Sequence, residues 1–599
     1  MRHLQPQQVA HRLRYAWRRA RWQRNSEVVD ARYSRRAAQL AALRWEHAGL
    51  SRVAAFRVAM RSQSEALATA DDALAGRFAF LGRSETFGAD VDWFRRDLDR
   101  GTRLWKVRLH EFGFAEDLAR AAHASGDPRF RDRLFELARS WRAAAPVGCR
   151  DFAIDAWNGR VVATRLIHWA VAGRILGLCS RDPDADWLGR EIGLHGLFLR
   201  DNLELDLRGN HLFRDAVGLV FANELAGGVP DALVWLERQV AEQVLPDGCH
   251  LERAPFYHAL CTRDLLEVRL LLDHACPRWL DDALGRMTAF LAATALGDGE
   301  IPLLGDGWLG EVSVPHLLAT ARGIVAPIAP EHPERHGGLV PLHTGAWRVV
   351  VRAGPHAPDE QMGHAHADLL SFDASFGGAR VVTDTGTLLY DPGPDRQRIR
   401  GTAAHNTLRI DREEQLEAWS SFRVGRRGRA RVAARGRTRT WDWVSASHDA
   451  YAWLRGRPIH HRLVAVGEAG ILVLDAVWGA GRHAIESHLH EHPDSEKAGV
   501  RISALRGAVV QRAAALHEQF GASRPMRQHR IVWDGELPWI GGWWIGRASS
   551  PESAARLDVT GDAVSVQLAS PALSLTWRPR CTDPQAAFSL CSPEGRSAN

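Results

Sequence analysis

The sequence is almost without lysine. Its 77 basic residues include lysine only at Lys106 and Lys497, and the net charge is +6 over 599 residues. Codon bias explains part of this preference for arginine. The alternative explanation is an anionic partner, because guanidinium groups pair bidentately with carboxylate, sulfate or phosphate. An acidic polymer of either kind, polysaccharide or nucleic acid, therefore has to be considered.

Disulfide frameworks and membrane spans are also missing. The seven cysteines are odd in number and form no Cys-x-x-Cys pair, which argues against a disulfide scaffold. No apolar run reaches transmembrane length. The charged N-terminus is not followed by the apolar core of a signal peptide. We therefore expect a cytoplasmic location by default, with a periplasmic or extracellular location as the alternative.

Signals of nucleic-acid binding are absent too. The arginines are spread along the chain, without zinc-finger spacing, a glycine-rich phosphate loop or an RNA-binding aromatic motif. The densest basic run, residues 11–24, predicts an amphipathic helix that contacts a membrane surface or another domain. A solvated helix is the alternative interpretation. Acidic polysaccharide thus remains the better anionic partner.

Helical periodicity dominates the chain up to about residue 330. Turn signals at 227–231, 245–248 and 296–299 separate the periodic segments, which predicts a series of helical hairpins. Residues 1–70 form a basic helical extension, and residues 71–330 form the main helical domain. Two apolar stripes at helical spacing are formed by Val161, Val162, Leu166, Ile167, Trp169, Ile175 and Leu176, and by Leu233, Leu236, Val240 and Val244.

The pattern changes after a passage rich in proline and glycine at residues 324–338. We take this passage as a domain boundary. Strand-like runs follow at 347–354, 462–477 and 565–577, joined by glycine or Ser-Pro turns. Such runs are typical of antiparallel sheets. The sequence therefore predicts a β-sandwich over residues 339–599.

Residues with useful chemistry gather in one segment, GHAHADLLSFDASFGGARVVTDTGTLLYDPGPDRQRIRGTAAHNTLRID. Because strand alternation places residues two apart on one face, His364 and His366 are expected to point at a single site. Asp384 and His405 are available to complete it. Two neutral imidazoles with a carboxylate are a ligand set for a metal, zinc first.

Strand geometry opposes this metal site. If Gly377-Gly378 is a two-residue hairpin turn, Asp384 pairs with Ser371, and His366 lies about 16 Å further along the strand. Ideal strands cannot close such a site. Either the chain bends near residues 367–370 or the turn is wider. An ordinary core or surface role for His366 stays open.

Six motifs in a fixed order cover residues 75 to 420. They are FAFLGRSETFG, TRLWKVRLHEFGFAEDLA, LRGNHLFRDAVGL, LPDGCHLERAPFYHAL, IPLLGDGW and the histidine-rich segment above. In these motifs the chain resembles the heparinase II/III-like polysaccharide lyases, a family related to the oligoalginate lyases. The resemblance implies an incomplete α/α toroid followed by an antiparallel β-sandwich. It also implies β-elimination on a uronate-containing anionic polysaccharide.

A uronate lyase must neutralise the carboxylate, remove the C5 proton and protonate the leaving O4. The resemblance implies that Asn210 and His364 neutralise the carboxylate. On local sequence alone, Asn210 is better explained as the N-cap of a helix. His211 is either a second base or a structural partner.

The resemblance implies that Tyr257 is the base and acid. A core tyrosine that opens a helix after Pro255 is the alternative. An unperturbed tyrosine has a pKa of about 10, so a tyrosinate base would need positive charge nearby, such as Arg253 or a histidine. Tyr390 corresponds to an active-site tyrosine of some relatives.

The resemblance further implies that His366, Asp384 and His405 hold a structural zinc. Arg396 and Arg400, which precede the second histidine motif, are candidates to bind the anionic sugar together with Arg253.

Two other functions remain open. A glycoside hydrolase on the same scaffold needs two carboxylates that flank the bond, and Asp247, Glu252 and Asp306 are the candidates. The third function is a non-catalytic polysaccharide-binding or exopolysaccharide-biosynthesis accessory protein, against which the joint presence of the candidate catalytic residues argues. Heparin-like glycosaminoglycans, hyaluronan, alginate and bacterial exopolysaccharides all present a uronate, so polymer, endo or exo action and oligomeric state stay open.

Overall fold

The computed structural model describes residues 5–99, 103–329, 336–547, 556–561, 563–568 and 573–591. The chain divides into two compact units. Unit 1 is Met1–Val244, Leu260–Thr288 and His316–Ile328, and unit 2 is Leu245–Ala259, Ala289–Pro315 and Ala329–Asn599. The passage 324–338 that we take as a domain boundary includes residues 330–335, which lie outside the described residues. Our domain limits at residues 70 and 330 stay predictions.

Among the described residues from 6 to 322, helices joined by loops predominate, with one β-hairpin. They are α1 (Pro6–Gln23), α2 (Ser26–Ala37), α3 (Ala48–Ala59), α4 (Gln63–Leu74), α5 (Arg103–Glu111), α6 (Phe114–Ser125), α7 (Pro128–Ala144), α8 (Gly159–Ile175), α9 (Pro183–Asp201), α10 (Gly209–Ala226), α11 (Ala232–Gln243), α12 (Pro255–Leu272), α13 (Arg278–Thr294) and α14 (Val314–Arg322). The hairpin consists of β1 (Arg77–Phe80) and β2 (Arg83–Thr86). Both predicted apolar stripes are helical, on α8 and α11, and their central residues are buried.

Close packing of α8 on α10 places the helix that carries Asn210 and His211. A Cβ added at Gly218 of α10 would lie only 2.6 Å from the Cβ of Ala163 on α8. The two backbones therefore approach closely at a position where only glycine fits. Asn158 caps α8 by accepting a hydrogen bond from the backbone N–H of Val161 at 3.0 Å.

The basic helix α1 is packed against its own unit along one face. The hydroxyl of Tyr15 donates to the carbonyl of Leu203 at 2.6 Å, and the amide of Gln8 donates to the carbonyl of Asp206 at 3.2 Å. These carbonyls belong to the segment that precedes α10. The opposite face leaves Leu13 and Trp17 exposed. No helix among the described residues is long and apolar enough to span a membrane.

Antiparallel strands build the rest of unit 2. They are β3 (Leu339–Thr344), β4 (Trp347–Arg352), β5 (Phe372–Phe376), β6 (Ala379–Val382), β7 (Leu408–Ile410), β8 (Leu416–Ala418), β9 (Val424–Arg427), β10 (Ala430–Arg437), β11 (Trp441–His448), β12 (Ile459–Gly467), β13 (Gly470–Trp478), β14 (Arg482–Glu491), β15 (Val500–Ala504), β16 (Val509–Leu516), β17 (Arg524–Glu536), β18 (Trp539–Arg547), β19 (Arg556–Thr560), β20 (Ala563–Leu568), β21 (Leu573–Trp577) and β22 (Phe588–Cys591). Two short helices interrupt them, α15 (Pro394–Arg400) and α16 (Pro584–Ala587). The strand-like runs in the sequence are confirmed as β4, the β12–β13 hairpin and the β20–β21 pair.

The strands form two large sheets that pack face to face. One sheet has the order β10-β11-β12-β13-β18-β15, and the other has the order β16-β17-β14-β6-β5-β4-β3 with β7 beside β14. Their common core includes Val349 and Phe372 of one sheet and Val464 and Trp543 of the other. The sheet β19-β20-β21-β22 covers the outer face of the first sheet with Val566 and Trp577. A helical part followed by antiparallel sheets, as predicted, is confirmed.

The β5–β6 hairpin decides between our two alternatives for the histidine-rich segment. Phe376 pairs with Ala379, so Gly377-Gly378 is a two-residue turn, not a wider one. The chain bends before β5, where Leu370 has a φ of +59° and the N–H of Ser371 bonds the carbonyl of Asp368 at 3.0 Å. The expected strand through residues 363–371 was therefore wrong. Met362–His364 is instead a short 3₁₀ helix.

Candidate active site

Tyr257, Tyr390 and His364 meet in unit 2. Tyr257 lies in the first turn of α12, which begins at Pro255, a residue suited to a helix start. Its hydroxyl is 2.8 Å from the hydroxyl of Tyr390. The ring of His364 stacks on the ring of Tyr257, with centroids 3.9 Å apart and planes inclined by 29°. The structure thus brings together three residues that the resemblance singled out.

The carboxylate of Asp306 contacts both His364 and His366. Its carboxylate oxygen Oδ2 is 3.0 Å from Nδ1 of His364, and Oδ1 is 2.9 Å from Nε2 of His366. Thr387 adds a hydroxyl at 3.4 Å. Both histidines therefore reach one carboxylate, although no strand alternation connects them. A carboxylate at Nδ1 holds the proton there and fixes the orientation of the ring.

The side chain of Arg396 on α15 completes the environment of Asp306. Nη1 donates to Oδ1 at 2.5 Å and Nη2 donates to Oδ2 at 2.7 Å, and Arg396 is fully buried. Burial alone would raise the pKa of Asp306, but the attraction of Arg396 and His366 outweighs burial and holds that pKa well below its usual range. Asp306 is therefore ionised at neutral pH.

Tyr390 has the opposite electrostatic environment. Burial, the negative charge of Asp306 and the neighbouring Tyr257 raise the pKa of Tyr390 well above its usual value, although Arg396 lies 5.0 Å from its ring centroid. Tyr390 is therefore protonated across the neutral range. A protonated hydroxyl at 2.8 Å can donate a hydrogen bond to the oxygen of Tyr257.

Arg396 and Arg400, which we expected to bind the sugar, are directed into the protein. Arg396 donates to the carbonyl of Ser421 from Nε and Nη2 at 3.2 and 3.0 Å, besides its pair with Asp306. Arg400 donates to the carbonyl of Ala365 at 2.9 Å and to that of Ser420 at 2.9 Å. Both guanidinium groups are buried. Protein oxygens accept hydrogen bonds from both guanidinium groups, and the role of this pair at the substrate stays a prediction.

Arg253 is the third predicted sugar-binding arginine. It has a φ of +53° and is partly buried. Its Nε donates to the carbonyl of His336 at 3.0 Å. Burial lowers its pKa. One donor is therefore committed to the protein, and its role at the substrate stays a prediction.

Asn210 and His211 belong to unit 1, in the first turn of α10. The N-cap position is occupied by Arg208, which has a φ of +62°, so the interpretation of Asn210 as the N-cap is wrong. Asn210 is buried. His211 is partly exposed, and its Nδ1 lies 3.1 Å from the buried carboxylate of Glu204. The structural partner that we considered for His211 is therefore present, and both catalytic roles stay predictions.

The three predicted zinc ligands lie next to this site. Nδ1 of His405 is 2.7 Å from a carboxylate oxygen of Asp384, and the rings of His366 and His405 have centroids 5.3 Å apart. Nδ1 of His366 and Nε2 of His405 are buried without a hydrogen-bond partner in the described residues.

These three residues fit a zinc ion by their chemistry. Two imidazole nitrogens without a partner and one carboxylate are donors that zinc accepts, the imidazoles in their neutral form. An unpaired buried nitrogen is otherwise costly. Within the described part of the chain, no three acidic, histidine or cysteine side chains are already arranged around a common point. A metal would therefore require these side chains to move.

Two of the three carboxylates of the hydrolase alternative, Asp247 and Asp306, are hydrogen-bonded to neighbouring groups. Asp247 accepts backbone N–H groups from Gly337 at 2.6 Å and Cys249 at 3.1 Å. Asp306 is held ionised by Arg396. Glu252 is buried, with a carboxylate oxygen 3.9 Å from Nε2 of His364. A hydrolase needs one carboxyl that stays protonated to act as the acid, and Asp306 cannot supply it.

Two known protein families match this chain, one over its N-terminal half and one over its C-terminal half. The family described as heparinase II/III N-terminus matches residues 23–323, and the family described as heparinase II/III-like, C-terminal, matches residues 329–582. The chain belongs to the heparinase II/III family. The enzyme class predicted from the sequence, a polysaccharide lyase, is thereby confirmed. No curated protein sequence matches this heparinase II/III family member.

Solved structures share the fold of this heparinase II/III family member. Heparinase III matches with a TM-score of 0.67 at 16% identity, over 90% of this chain and 99% of that chain. A mutant of heparan sulfate lyase HepC from Pedobacter heparinus matches with a TM-score of 0.59 at 16% identity, over 95% and 97%. The chondroitin AC lyase of Streptomyces coelicolor A3, in complex with chondroitin sulphate, gives 0.51 at 10% identity, over 89% and 88%. The predicted toroid-plus-sheet fold class is confirmed.

Two parts of the site escaped sequence reasoning. Asp306 was considered only as a hydrolase carboxylate, and its contacts with His364 and His366 were not foreseen. The glycine-flanked motif IPLLGDGW was the available signal, because a lone aspartate between glycines suggests a carboxylate at a tight turn. The other part is the segment around Ser421, which carries no motif at all.

Proposed function

We propose that this chain cleaves a uronate-containing acidic polysaccharide by β-elimination. The observation that carries the proposal is the contact of Tyr257 with both His364 and Tyr390, at 3.9 Å between ring centroids and 2.8 Å between hydroxyls. A proton-transfer group, a cation-forming imidazole and a second hydroxyl are thus assembled within one site. β-Elimination needs this combination, because a C–H proton must leave next to a carboxylate.

His364 is the group that meets the uronate carboxylate. Its Nδ1 is held by Asp306 at 3.0 Å, so Nε2 is the atom left for the substrate. A hydrogen bond or ion pair from Nε2 to the carboxylate favours the enediolate form, in which a second negative charge develops. Asn210 belongs to unit 1, and its part in neutralising the carboxylate stays what the resemblance implies.

Tyr257 moves the proton. As tyrosinate, it takes the proton from C5, and the electron pair of the C5–H bond is delocalised into the carboxylate to form the enediolate. The C4–O4 bond then breaks, a C4=C5 double bond forms, and the hydroxyl of Tyr257 returns the proton to O4. One residue thus serves as base and acid, and the proton count balances.

Tyr390 stabilises the tyrosinate form of Tyr257. Its own pKa is raised by burial and by Asp306, so it keeps its proton and donates to the oxygen of Tyr257. A hydrogen bond to the charged form of a group favours that form.

His366, Asp384 and His405 would hold a structural zinc. Such an ion binds neutral imidazole and carboxylate and fixes the segments that carry them. His366 also contacts Asp306 through Nε2 at 2.9 Å. The ligand residues would therefore stabilise the base of the site without taking part in proton transfer.

An acidic glycosaminoglycan or exopolysaccharide is the proposed substrate class. The net charge of +6 supports an anionic polymer. The names of the structural neighbours, heparan sulfate lyase and chondroitin AC lyase, are consistent with this class. Basic surfaces attract such polymers and make affinity fall as salt is added.

The decisive experiment compares native polymers with carboxyl-reduced ones. A panel of acidic polysaccharides is incubated with the purified chain, and the ultraviolet absorbance of unsaturated sugar ends is followed. We expect absorbance from at least one native polymer and none after its uronates have been reduced to neutral sugars. Tyr257→Phe protein, purified by the same procedure, is the control for contaminating lyases. Chain cleavage without new absorbance would indicate a hydrolase, and equal cleavage of the reduced polymer would refute elimination at a uronate.

A further inference from the structure

The loop between β8 and β9, residues 419–423, presents two large aromatic side chains to solvent. Trp419 is 58% exposed and Phe422 is 44% exposed. In the folded chain, much of the apolar surface of these two rings stays in contact with water. Two of them on one short loop therefore indicate a surface that becomes covered by a ligand.

Buried arginines hold this loop in one conformation. Arg396 donates twice to the carbonyl of Ser421, and Arg400 donates to the carbonyls of Ser420 at 2.9 Å and Ser421 at 3.1 Å. Ser420 has a φ of +105°, which non-glycine residues rarely adopt. Such strain persists only where the surroundings over-determine it, typically at functional sites. The aromatic side chains are therefore presented by a rigid loop.

The same loop borders the reacting groups. The ring of Phe422 lies edge-on to Tyr390, with centroids 5.1 Å apart, and edge-on to His364 at 5.8 Å. Arg396 joins the two places, because it binds both Asp306 and the carbonyl of Ser421. A sugar that contacts His364 and Tyr257 thus has Phe422 beside it.

We propose that Trp419 and Phe422 form a stacking subsite for a pyranose ring of the acidic polysaccharide, next to the linkage that is cleaved. A pyranose has an apolar face of C–H groups, and it can cover an aromatic ring while its carboxylate and sulfate groups stay hydrated. Aromatic side chains bind amphipathic partners in this way with little loss of conformational entropy. This inference rests on the proposed function.

The subsite also gives a role to the buried side chains of Arg396 and Arg400. Arg396 and Arg400 lie in α15 next to the candidate active site, but they act through the backbone of the loop 419–423. They are positioning residues for Trp419 and Phe422. The aromatic rings, which carry no charge, then meet the sugar.

Four single variants test the subsite. Trp419→Ala and Phe422→Ala remove a ring, and Trp419→Phe keeps a smaller one. Trp453→Ala is the matched control, because Trp453 is 50% exposed in the same unit but its ring is already covered by the guanidinium of Arg426 at 4.2 Å. KM and kcat are measured on the polymer that the parent chain cleaves. Oligosaccharide binding is measured by calorimetry in a Tyr257→Phe background.

We expect Trp419→Ala to raise KM and the dissociation constant about tenfold, as expected for the loss of one stacked ring, with kcat within threefold. Trp419→Phe should recover part of the affinity, and Trp453→Ala should match the parent. Phe422→Ala should also lower kcat, because its ring packs on Tyr390 and His364. Melting temperatures close to that of the parent will show that the variants fold.

Unchanged KM and binding in Trp419→Ala, or an equal loss in Trp453→Ala, would overturn the subsite. A change in oligomeric state of Trp419→Ala at unchanged sugar affinity would assign the loop to self-association instead. If the parent yields no unsaturated products, the proposed function fails. Calorimetry against a panel of acidic oligosaccharides still decides the subsite then, since absent or Trp419-independent binding would refute it.

Discussion

Arg396 binds Asp306 through two hydrogen bonds, at 2.5 and 2.7 Å, and both side chains are fully buried. Asp306 contacts His364 of the candidate active site, and Arg396 contacts the loop that carries Phe422. The core of the sandwich contains the same combination at Asp475, which is bound by Arg462 at 2.6 Å and 2.9 Å. Each aspartate also contacts histidine. The two pairs differ mainly in whether that histidine is proposed to meet the substrate.

Asp306→Asn should abolish most turnover. An amide cannot hold the proton of His364 on Nδ1 as a carboxylate does, and it leaves Arg396 as a buried charge without its partner. We expect kcat to fall by about 10² or more and the free energy of unfolding to fall by about 3 to 5 kcal/mol. Steady-state kinetics and urea unfolding measure the two effects.

Asp475→Asn is the matched control for this prediction. It breaks an equally buried pair of arginine and aspartate and also releases His460, which contacts Asp475 at 2.8 Å. Its stability should fall by a similar amount, whereas kcat should stay within a few-fold of the parent. If both variants lose turnover equally, the effect of Asp306→Asn is only loss of stability, and its positioning role is wrong.

The two tyrosines should differ in the size of their effects. Tyr257→Phe removes the group that transfers the proton, so we expect kcat to fall by about 10² to 10⁴ while oligosaccharide binding is retained. Tyr390→Phe removes only a hydrogen bond to the charged oxygen of Tyr257, which corresponds to about 1.5 to 3 kcal/mol, or roughly 10- to 100-fold in kcat. The kcat values of the two variants are compared by following the ultraviolet absorbance of the unsaturated product. A larger loss in Tyr390→Phe than in Tyr257→Phe would reverse the assignment.

Periodicity predicted most of the fold, because helical and strand spacing report which face of an element is buried. The stripe on α8 and the β12–β13 hairpin were both found where the pattern placed them. The exception is the segment before β5. It alternates like a strand, but Leu370 adopts a positive φ and the chain turns. Local pattern cannot reveal this bend, because tertiary contacts with Arg352 and Gln415 fix it.

The residue types of the site could be predicted from the sequence, but the hydrogen bonds between them could not. The ordered motifs identified Tyr257, His364 and Tyr390, which lie together. The arginines of α15 were interpreted as sugar ligands because the sequence shows their charge but not their direction. Both are buried, with their donors taken by Asp306 and by the carbonyls of residues 365, 420 and 421. Side-chain direction depends on long-range packing, which no short motif contains.

Asp475 predicts a measurable dependence of stability on pH. Burial would raise its pKa, but attraction to Arg462 and His460 outweighs burial and lowers the pKa to about 2. A carboxyl whose folded pKa lies below its unfolded value of about 3.9 stabilises the protein above that value. The contribution is lost as pH falls through the folded pKa. Between about pH 4 and pH 2, the free energy of unfolding should therefore fall more steeply in the parent than in Asp475→Asn. Parallel curves from urea unfolding would contradict this origin.

The last prediction concerns the metal. Nδ1 of His366 and Nε2 of His405 are buried without hydrogen-bond partners in the described residues, next to the carboxylate of Asp384. We expect purified protein to contain about one zinc per chain. A structural metal contributes folding free energy directly. His405→Ala and treatment with a chelator should each remove the metal and lower the melting temperature.

His490→Ala is the control for the metal prediction. His490 is also buried, but its ring nitrogens are bonded to Asn406 at 3.0 Å and Gln528 at 2.9 Å. This variant should lose stability and keep its zinc. Elemental analysis together with thermal unfolding separates the two cases. Well-folded parent protein without zinc, or a melting temperature that a chelator leaves unchanged, would show that the two unpaired nitrogens are not metal ligands. The cluster of His366, Asp384 and His405 would then be a polar core held by the bonds between His405 and Asp384 and between His366 and Asp306.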